Sequence, residues 1–171
     1  MLRLAKAFLD IALWRRTPAE LPASVFLLTL AAIAASLTEV LGALLPPPPN
    51  GQIPMRVAME VAMPVLFIWV LLALKQRKER FLQTASAYLG VGVLAALVLY
   101  PLDSVLQLMG QQNPAVLPVS VIYMAFVIGY LLACAHIWRS ALDSGLVIGL
   151  VVSFGYFMAK LIIEQQVLQR S

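Results

Sequence analysis

The sequence predicts an all-α fold class, a polytopic membrane bundle of five transmembrane helices with an N-terminal interfacial amphipathic helix. Of its 171 residues, 62% are hydrophobic and 12% are charged, whereas a soluble domain is about 45–50% apolar and about 25% charged. The apolar residues also fall into stretches of about 20, the length of a helix that crosses a bilayer core. In hydrocarbon such stretches must satisfy their own backbone groups, which favours helices. A soluble, disordered or disulfide-rich secreted protein is excluded.

The predicted transmembrane domain extends over residues 25–164. Its five spans cover residues 25–45, 57–74, 81–102, 116–138 and 141–163. A cytoplasmic segment, residues 1–24, precedes the domain, and residues 165–171 form a short tail. The connections carry turn residues, such as the prolines of residues 46–49 and the Arg-Ser pair at 139–140, and are too short to hold a second domain. A four-crossing alternative, with one re-entrant span, would place the C-terminus inside.

Lys and Arg near the span ends predict the orientation of the bundle. With five crossings, nine basic residues lie on the side of the N-terminus: Arg3, Lys6, Arg15, Arg16, Lys75, Arg77, Lys78, Arg80 and Arg139. The opposite side holds Arg56, Lys160 and Arg170. This asymmetry places the N-terminus in the cytoplasm and the C-terminus outside. We expect the first eight residues of the larger group to lie at the membrane surface. Trp14 and Trp138 at this boundary and Tyr100 near the opposite one fit an aromatic belt.

Charge and residue usage also limit the partners and the chemistry. The net charge of +4 is typical of basic cytoplasmic loops that contact anionic lipid, and no nucleic-acid-reading motif accompanies it. We therefore expect membrane lipids as partners and no nucleic acid. Because Cys134 is the single cysteine and His136 the single histidine, an internal disulfide and a cysteine metal site are excluded. We predict no catalytic, cofactor-binding or metal-binding residues.

The N-terminal segment is predicted to form an amphipathic helix that lies in the membrane interface. Its apolar residues share one helical face: Leu4, Ala5, Phe8, Leu9, Ile11 and Ala12. Arg3, Lys6 and Asp10 form a polar stripe, and residues 17–20, TPAE, read as a capping box that starts a short helix. Two roles remain open: a collar that orients the bundle, or a docking surface for a cytosolic partner or curved lipid.

A few ionisable residues at membrane depth are not explained by orientation. Such groups cost about 2.5–3.5 kcal/mol at mid-bilayer, which makes them candidates for function. Glu39, Glu60 and Lys160 all fall in the outer third of the bilayer at ~1.5 Å per residue, and Asp103 lies near a span end.

A small-residue ridge on the last predicted span, Gly145, Gly149 and Ser153, is of the type that lets helices approach closely. Lys160 lies within about 20° of this ridge at ~100° per residue, so we expect Lys160 to face the bundle. Glu39 lies on the small-residue side of the first span. Two carboxylates and one ammonium are therefore predicted to meet in one outward-facing cluster, with Asp103 at its rim. The cluster is either a salt bridge that fixes helix order or a cation or proton site, because one carboxylate is left without a cation.

Two local patterns carry a family resemblance. Residues 77–84, RKERFLQT, followed by AYLG at 87–90, form a basic, Phe-containing approach to an Ala- and Gly-rich span. Residues 135–142, AHIWRSAL, form a tight turn in which a histidine precedes an alanine-led last span. The chain thereby resembles the bacterial branch of the Yip family of five-pass membrane proteins. The resemblance implies a non-enzymatic protein of the bacterial inner membrane.

Two functions are compatible with these features. The first is a non-enzymatic accessory or scaffold protein of the inner membrane that associates with another membrane or envelope protein, or with copies of itself. The small-residue ridge and the interfacial helix motivate it. The second is a small proton, cation or solute pathway that uses the carboxylate and Lys cluster.

Overall fold

The computed structural model describes residues 2–43, 53–109 and 113–169, and all regular structure in these ranges is helical. Its long helices are α1 (Leu2–Ala12), α2 (Val25–Ala43), α3 (Ile53–Leu74), α4 (Phe81–Leu108), α5 (Val116–Leu142) and α6 (Leu146–Gln169). Five of them, α2 to α6, are long and apolar enough to cross a membrane. The predicted all-α bundle of an integral membrane protein is thereby confirmed. The end of the first predicted span, the prolines of residues 46–49 and Arg170 lie outside the described residues.

The helices differ from the predicted spans mainly at their ends. α4 continues from the predicted end at residue 102 to Leu108, with Pro101 inside the helix. α6 continues to Gln169, so most of the predicted tail, residues 165–171, is helical. Both extensions are polar or mixed in sequence. The apolar stretches end before the helices do, because a helix can continue beyond its apolar part.

The turn between the last two spans lies later than predicted. The sequence predicts this turn at residues 139–140, but α5 continues to Leu142 and α6 begins at Leu146. Asp143 adopts the left-handed conformation (φ 46°, ψ 47°), and its backbone N–H donates to the carbonyl of Arg139. A left-handed residue after the last helical turn is a common way to end a helix. Arg139 and Ser140 therefore belong to the last turn of α5.

α4 is the central helix of the bundle and packs against α1, α2, α3 and α5, whereas α6 packs mainly along α5. An added Cβ at Gly149 of α6 would lie 2.3 Å from the carbonyl oxygen of Ala135, and the Ser153 hydroxyl donates to the Leu131 carbonyl at 3.1 Å. Two members of the predicted small-residue ridge thus hold α6 against α5. The third, Gly145, precedes α6 and has open space around it.

The core between α3 and α6 is aromatic. Phe67, Tyr88, Trp138 and Tyr156 contact one another with ring centroids 5.0–5.9 Å apart; we call them the aromatic cluster. Trp138 is completely buried, so its predicted place in an interfacial belt is wrong. Its indole ring packs inward against the rings of Phe67 and Tyr88 on the neighbouring helices.

The N-terminal helix α1 packs across α4 and α5 at one end of the bundle, which we call the α1 end. Ile11 and Ala7 are buried there against residues of α4 and α5. The Phe8 ring lies over Gly90, where an added Cβ would come within 2.6 Å of it. The predicted capping box is present, with the Thr17 N–H donating to the Glu20 carboxylate at 2.9 Å. Part of the apolar face of α1, at Ala7, Phe8 and Ile11, therefore packs on the protein, whereas Leu9 on the same face is 49% exposed.

Candidate intramembrane polar site

The three predicted intramembrane charges come together in the half of the bundle farther from the α1 end. The Lys160 ammonium of α6 donates to the Glu60 carboxylate of α3. The Glu39 carboxylate of α2 accepts a hydrogen bond from the Tyr100 hydroxyl of α4. Glu39 and Glu60 both line one small cavity, which we call the polar cavity. The side chains of Lys160 and Glu60 remain 21% and 28% exposed, so the ion pair is accessible from the surface.

The polar cavity has a volume of about 20 Å³. Its lining residues come from four helices: Ala35, Thr38, Glu39, Glu60, Tyr88, Leu89, Gly92, Val93, Ala96 and Tyr130. About 10–15 Å³ is enough for one water molecule, whereas sites for organic ligands enclose about 300–1,000 Å³. The cavity fits a water molecule or a small ion and excludes an organic solute.

Each of the five spans contributes a polar side chain to this region. Glu39, Glu60, Tyr88 and Tyr130 line the cavity on α2, α3, α4 and α5, and Lys160 reaches it from α6 through Glu60. The Tyr88 and Tyr130 hydroxyl groups form a side-chain hydrogen bond with each other, and the Cys134 thiol interacts with both. A series of oxygen-bearing groups thus leads from the carboxylates toward the middle of the bundle.

The charges around the cavity do not balance. Glu39 interacts electrostatically with Glu60, Lys160, Glu164 and Arg56, so the set has three carboxylates and two cations. With every group ionised its formal charge is −1. Glu60 is paired with Lys160, whereas Glu39 has a neutral tyrosine hydroxyl as its hydrogen-bond partner. A proton or a monovalent cation at Glu39 would neutralise the set.

The aromatic cluster closes the polar cavity on the side of the α1 end. Tyr88 belongs to both the cavity lining and the aromatic cluster. Trp138 lies eight positions beyond Tyr130 along α5, and its side chain is completely buried. The Glu60 and Lys160 side chains are therefore partly exposed at one end of this region, and packed aromatic rings lie at the end nearer α1.

The structure does not bring Asp103 into the cluster. Asp103 lies one turn beyond Tyr100, and its carboxylate accepts a hydrogen bond from Gln107 at 2.7 Å. Asp103 does not line the polar cavity, so its predicted position at the rim is wrong. The residue of α4 that contacts Glu39 is Tyr100. The helix α4 presents the Tyr100 ring toward α2 and leaves Asp103 to a partner on its own helix.

Sequence reasoning missed the tyrosines of the site because they were counted with the apolar stretches. One signal was available for Tyr100. Gly42 follows Glu39 by one helical turn, and an added Cβ at Gly42 would lie 2.5 Å from the Tyr100 ring. A glycine one turn after a membrane carboxylate thus makes room for the ring that hydrogen-bonds this carboxylate.

A second polar network joins three segments at the α1 end. Arg77 and Arg80, from the α3–α4 connection, both pair with Asp143 in the α5–α6 turn, and these hydrogen bonds, chiefly that from Arg80, lower the pKa of the Asp143 carboxyl. Gln83 donates to the carbonyls of Ala19 and Leu21. Two of the predicted surface arginines are therefore bound within the protein.

The other predicted surface residues fall into two groups. Arg16 pairs with Asp10 and Glu20. The remaining ones have exposed side chains: Arg3, Lys6, Arg15, Lys75 and Lys78.

Comparison with known proteins finds no matching family model, no matching curated protein and no matching solved structure. Among the residues that the structure describes, no three His, Cys, Asp or Glu side chains come together in a way that could hold a metal ion. The site is therefore defined by its geometry: two carboxylates, one ammonium and hydroxyl groups around a cavity of about 20 Å³.

Proposed function

We propose that the protein binds a proton or a small monovalent cation at Glu39, as the binding step of an ion pathway that opens at the Lys160 side. The observation that carries this proposal is one cavity lined by four spans, with Lys160 of the fifth span paired to its Glu60, and an uncompensated carboxylate in its wall. Ionisable groups inside a membrane are expensive, and a structural salt bridge needs only Glu60 and Lys160. Glu39 is the group that this pairing leaves over.

The size and chemistry of the site support a proton or a small cation over other ligands. The cavity of about 20 Å³ excludes organic solutes. Carboxylate and hydroxyl oxygens are hard donors, which suit protons and small hard cations. A divalent ion takes six or more oxygen ligands, several of them waters in the case of Mg²⁺, and a cavity of about 20 Å³ has no room for these waters.

Infrared difference spectroscopy on the protein reconstituted in liposomes tests this proposal. The pH, and separately the sodium concentration, is stepped on the Lys160 side, and a protonated-carboxyl band is followed. We expect a band that is lost in Glu39→Gln and suppressed by sodium if a cation competes with the proton. Asp103→Asn is the matched control, because Asp103 lies outside the cavity. A Glu39→Gln spectrum equal to that of the parent protein would overturn the proposal.

We also propose that the α1 end faces the cytoplasm of a bacterial inner membrane and the Lys160 side faces outward. The basic segments around Arg16, Arg77 and Arg139 lie together at the α1 end, as the positive-inside rule requires. We propose, in addition, that the protein is related to the Yip family, which its sequence resembles. Cysteine labelling at the Lys78 position and at Gln166 with a membrane-impermeant reagent distinguishes the two orientations.

A non-enzymatic accessory role is the second candidate. One observation favours it: α6 packs mainly along α5 and leaves Val147, Val151 and Phe154 exposed along one face. This face is available to a span of another membrane protein or of a second copy. A photo-crosslinking residue at position 151 is expected to capture such a span, whereas one at Ile33 of α2 serves as the exposed control. Equal capture at both positions would contradict a specific interface.

A further inference from the structure

A second cavity lies between α4 and α5 beneath the N-terminal helix, separate from the polar cavity; we call it the apolar groove. Its volume is about 430 Å³, within the range of about 300–1,000 Å³ that small-molecule sites occupy. The lining comes from three helices: Leu9, Ala12, Leu13, Val91, Leu94, Ala95, Val98, Leu99, Ala125, Phe126, Gly129, Tyr130 and Ala133. Tyr130 is the only lining residue whose side chain can hydrogen-bond, so the groove is suited to a hydrocarbon chain and not to a polar solute.

The depth of the apolar groove matches one leaflet of a bilayer. It follows α4 from Val91 to Leu99 and α5 from Ala133 to Ala125, which is about 12 Å on each helix at 1.5 Å per residue. The hydrocarbon core is about 30 Å thick, so one leaflet is about 15 Å. The groove thus extends through the leaflet at the α1 end, and α1 itself covers its mouth.

The mouth of the apolar groove carries uncompensated positive charge. Lys6 precedes Leu13 by seven positions, which places the two residues within about 20° of each other around α1. Arg16 is occupied by Asp10 and Glu20. Within the described parts of the chain, Arg3, Lys6 and Arg15 form no ion pair with a carboxylate and their side chains are exposed. Such side chains at the membrane surface attract anionic headgroups.

We propose that the apolar groove is a binding site for an anionic phospholipid of the surrounding bilayer. One acyl chain occupies the groove between α4 and α5, and the headgroup lies against Lys6, Arg3 and Arg15 at its mouth. The fit rests on three features of the structure: an apolar slot one leaflet deep, a helix that covers its mouth, and free cations beside this helix. The lipid would hold α1 to the bundle in addition to the protein contacts of Ile11 and Phe8.

Gly129 offers a steric test of the groove. It lines the groove, and an added Cβ there would meet nothing within 4 Å. Gly129→Leu therefore extends a branched side chain into the slot from a Cβ that has open space around it. Gly155 of α6 is equally open but does not line the groove, which makes Gly155→Leu the matched control.

The experiment is native mass spectrometry of the full chain released from nanodiscs that contain equal amounts of phosphatidylglycerol and phosphatidylcholine. We expect one phosphatidylglycerol to stay bound to the parent protein and to Gly155→Leu. Gly129→Leu is expected to lose at least tenfold of this occupancy. The triple variant Arg3→Gln, Lys6→Gln, Arg15→Gln is expected to lose the preference for phosphatidylglycerol over phosphatidylcholine.

Three outcomes would overturn the proposal. One is retention of phosphatidylglycerol by Gly129→Leu at the parent level. Another is equal retention of both lipids by the parent protein, which would leave only nonspecific lipid at the groove. The third is a lipid-free dimer that Gly129→Leu disrupts, since a second copy would then occupy the groove. If Gly129→Leu is not recovered in membranes, the triple variant decides alone, because its substitutions are at exposed positions.

Discussion

Trp14 stacks on His136 at the α1 end of the bundle, with ring centroids 5.1 Å apart and ring planes inclined by 17°. The His136 Nε2 also lies 3.0 Å from the carbonyl oxygen of Arg16, so this nitrogen carries the proton and donates it. The segment that follows α1 and the C-terminal part of α5 are thus joined by one imidazole ring. This contact adds to the burial of Pro18 and Leu21 in holding the segment in one position.

Replacement of this ring is expected to loosen the N-terminal segment. His136→Ala removes the stacking contact and leaves the Arg16 carbonyl without its donor, which together cost about 1–3 kcal/mol. Hydrogen exchange in detergent should become faster over residues 13–21 and stay unchanged in α3. His136→Gln keeps a hydrogen-bond donor but not a ring, so its exchange rate over these residues should lie between those of the parent protein and His136→Ala. Unchanged exchange in His136→Ala would contradict this role.

Two glycines of α6 are expected to respond in opposite directions to the same substitution. Gly149→Ala places a Cβ 2.3 Å from the Ala135 carbonyl oxygen and must push α6 away from α5, at a cost of about 1–3 kcal/mol. Gly155→Ala meets nothing and gains helix propensity of up to about 1 kcal/mol. Thermal unfolding in detergent should show a lower midpoint for the first and an equal or higher midpoint for the second. Equal midpoints would show that α6 does not pack on α5 through Gly149.

The ion pair between Glu60 and Lys160 is expected to stabilise the bundle. Lys160→Gln leaves the Glu60 carboxylate partly buried without a cation, which costs about 1–3 kcal/mol. The double variant Glu60→Gln, Lys160→Gln should recover part of this loss, because two amides can hydrogen-bond each other. Unfolding in urea-titrated detergent measures the coupling. Strictly additive effects would mean that the pair is not formed.

Glu39→Gln provides the comparison with that pair. It removes the leftover charge of the polar cavity, so membrane abundance should be kept. A loss of abundance as large as that of Lys160→Gln would assign Glu39 a structural role instead.

The pairing of Asp143 with Arg80 and Arg77 predicts a pH dependence. Because these partners lower the pKa of the Asp143 carboxyl in the folded protein, their stabilisation is present above the ordinary aspartate pKa and is lost as the pH falls through the lowered value. The difference in stability between the parent protein and Asp143→Asn should therefore shrink toward zero in acid. Asparagine tolerates the left-handed backbone, so this variant isolates the charge. A difference that is constant from neutral to acid pH would contradict the prediction.

The spans were predictable because the thickness of the bilayer and the hydropathy of the sequence leave few alternatives. The position of the small-residue ridge also predicted correctly that Lys160 faces the interior of the bundle. The tyrosines of the site were not predictable in this way. A tyrosine counts as apolar in a hydropathy window, yet its hydroxyl group needs a partner when buried. Tyr100 therefore displaced Asp103 as the neighbour of Glu39, and only the space beside Gly42 indicated it.

The last turn shows a second limit of the sequence pattern. Arg139 and Ser140 are polar, and a polar pair between two apolar stretches predicts a loop. The structure continues the helix through them, because Arg80 donates to the Ser140 carbonyl at 2.9 Å and Asp143 adopts the helix-ending conformation. Arg80 is distant from Ser140 in sequence, and the conformation of Asp143 is a property of the backbone. Composition alone could therefore not place the turn.

The position of α1 has a consequence for biosynthesis. α1 precedes α4 and α5 in the chain and leaves the ribosome before them, but its contacts are with these two helices, and His136 is 120 positions beyond Arg16. The N-terminal segment must therefore wait until nearly the whole chain has been inserted before its docking site exists. A segment translated before α4 and α5 thus reaches its native place only after them, and a truncated chain that lacks α5 would leave it exposed to quality-control proteases.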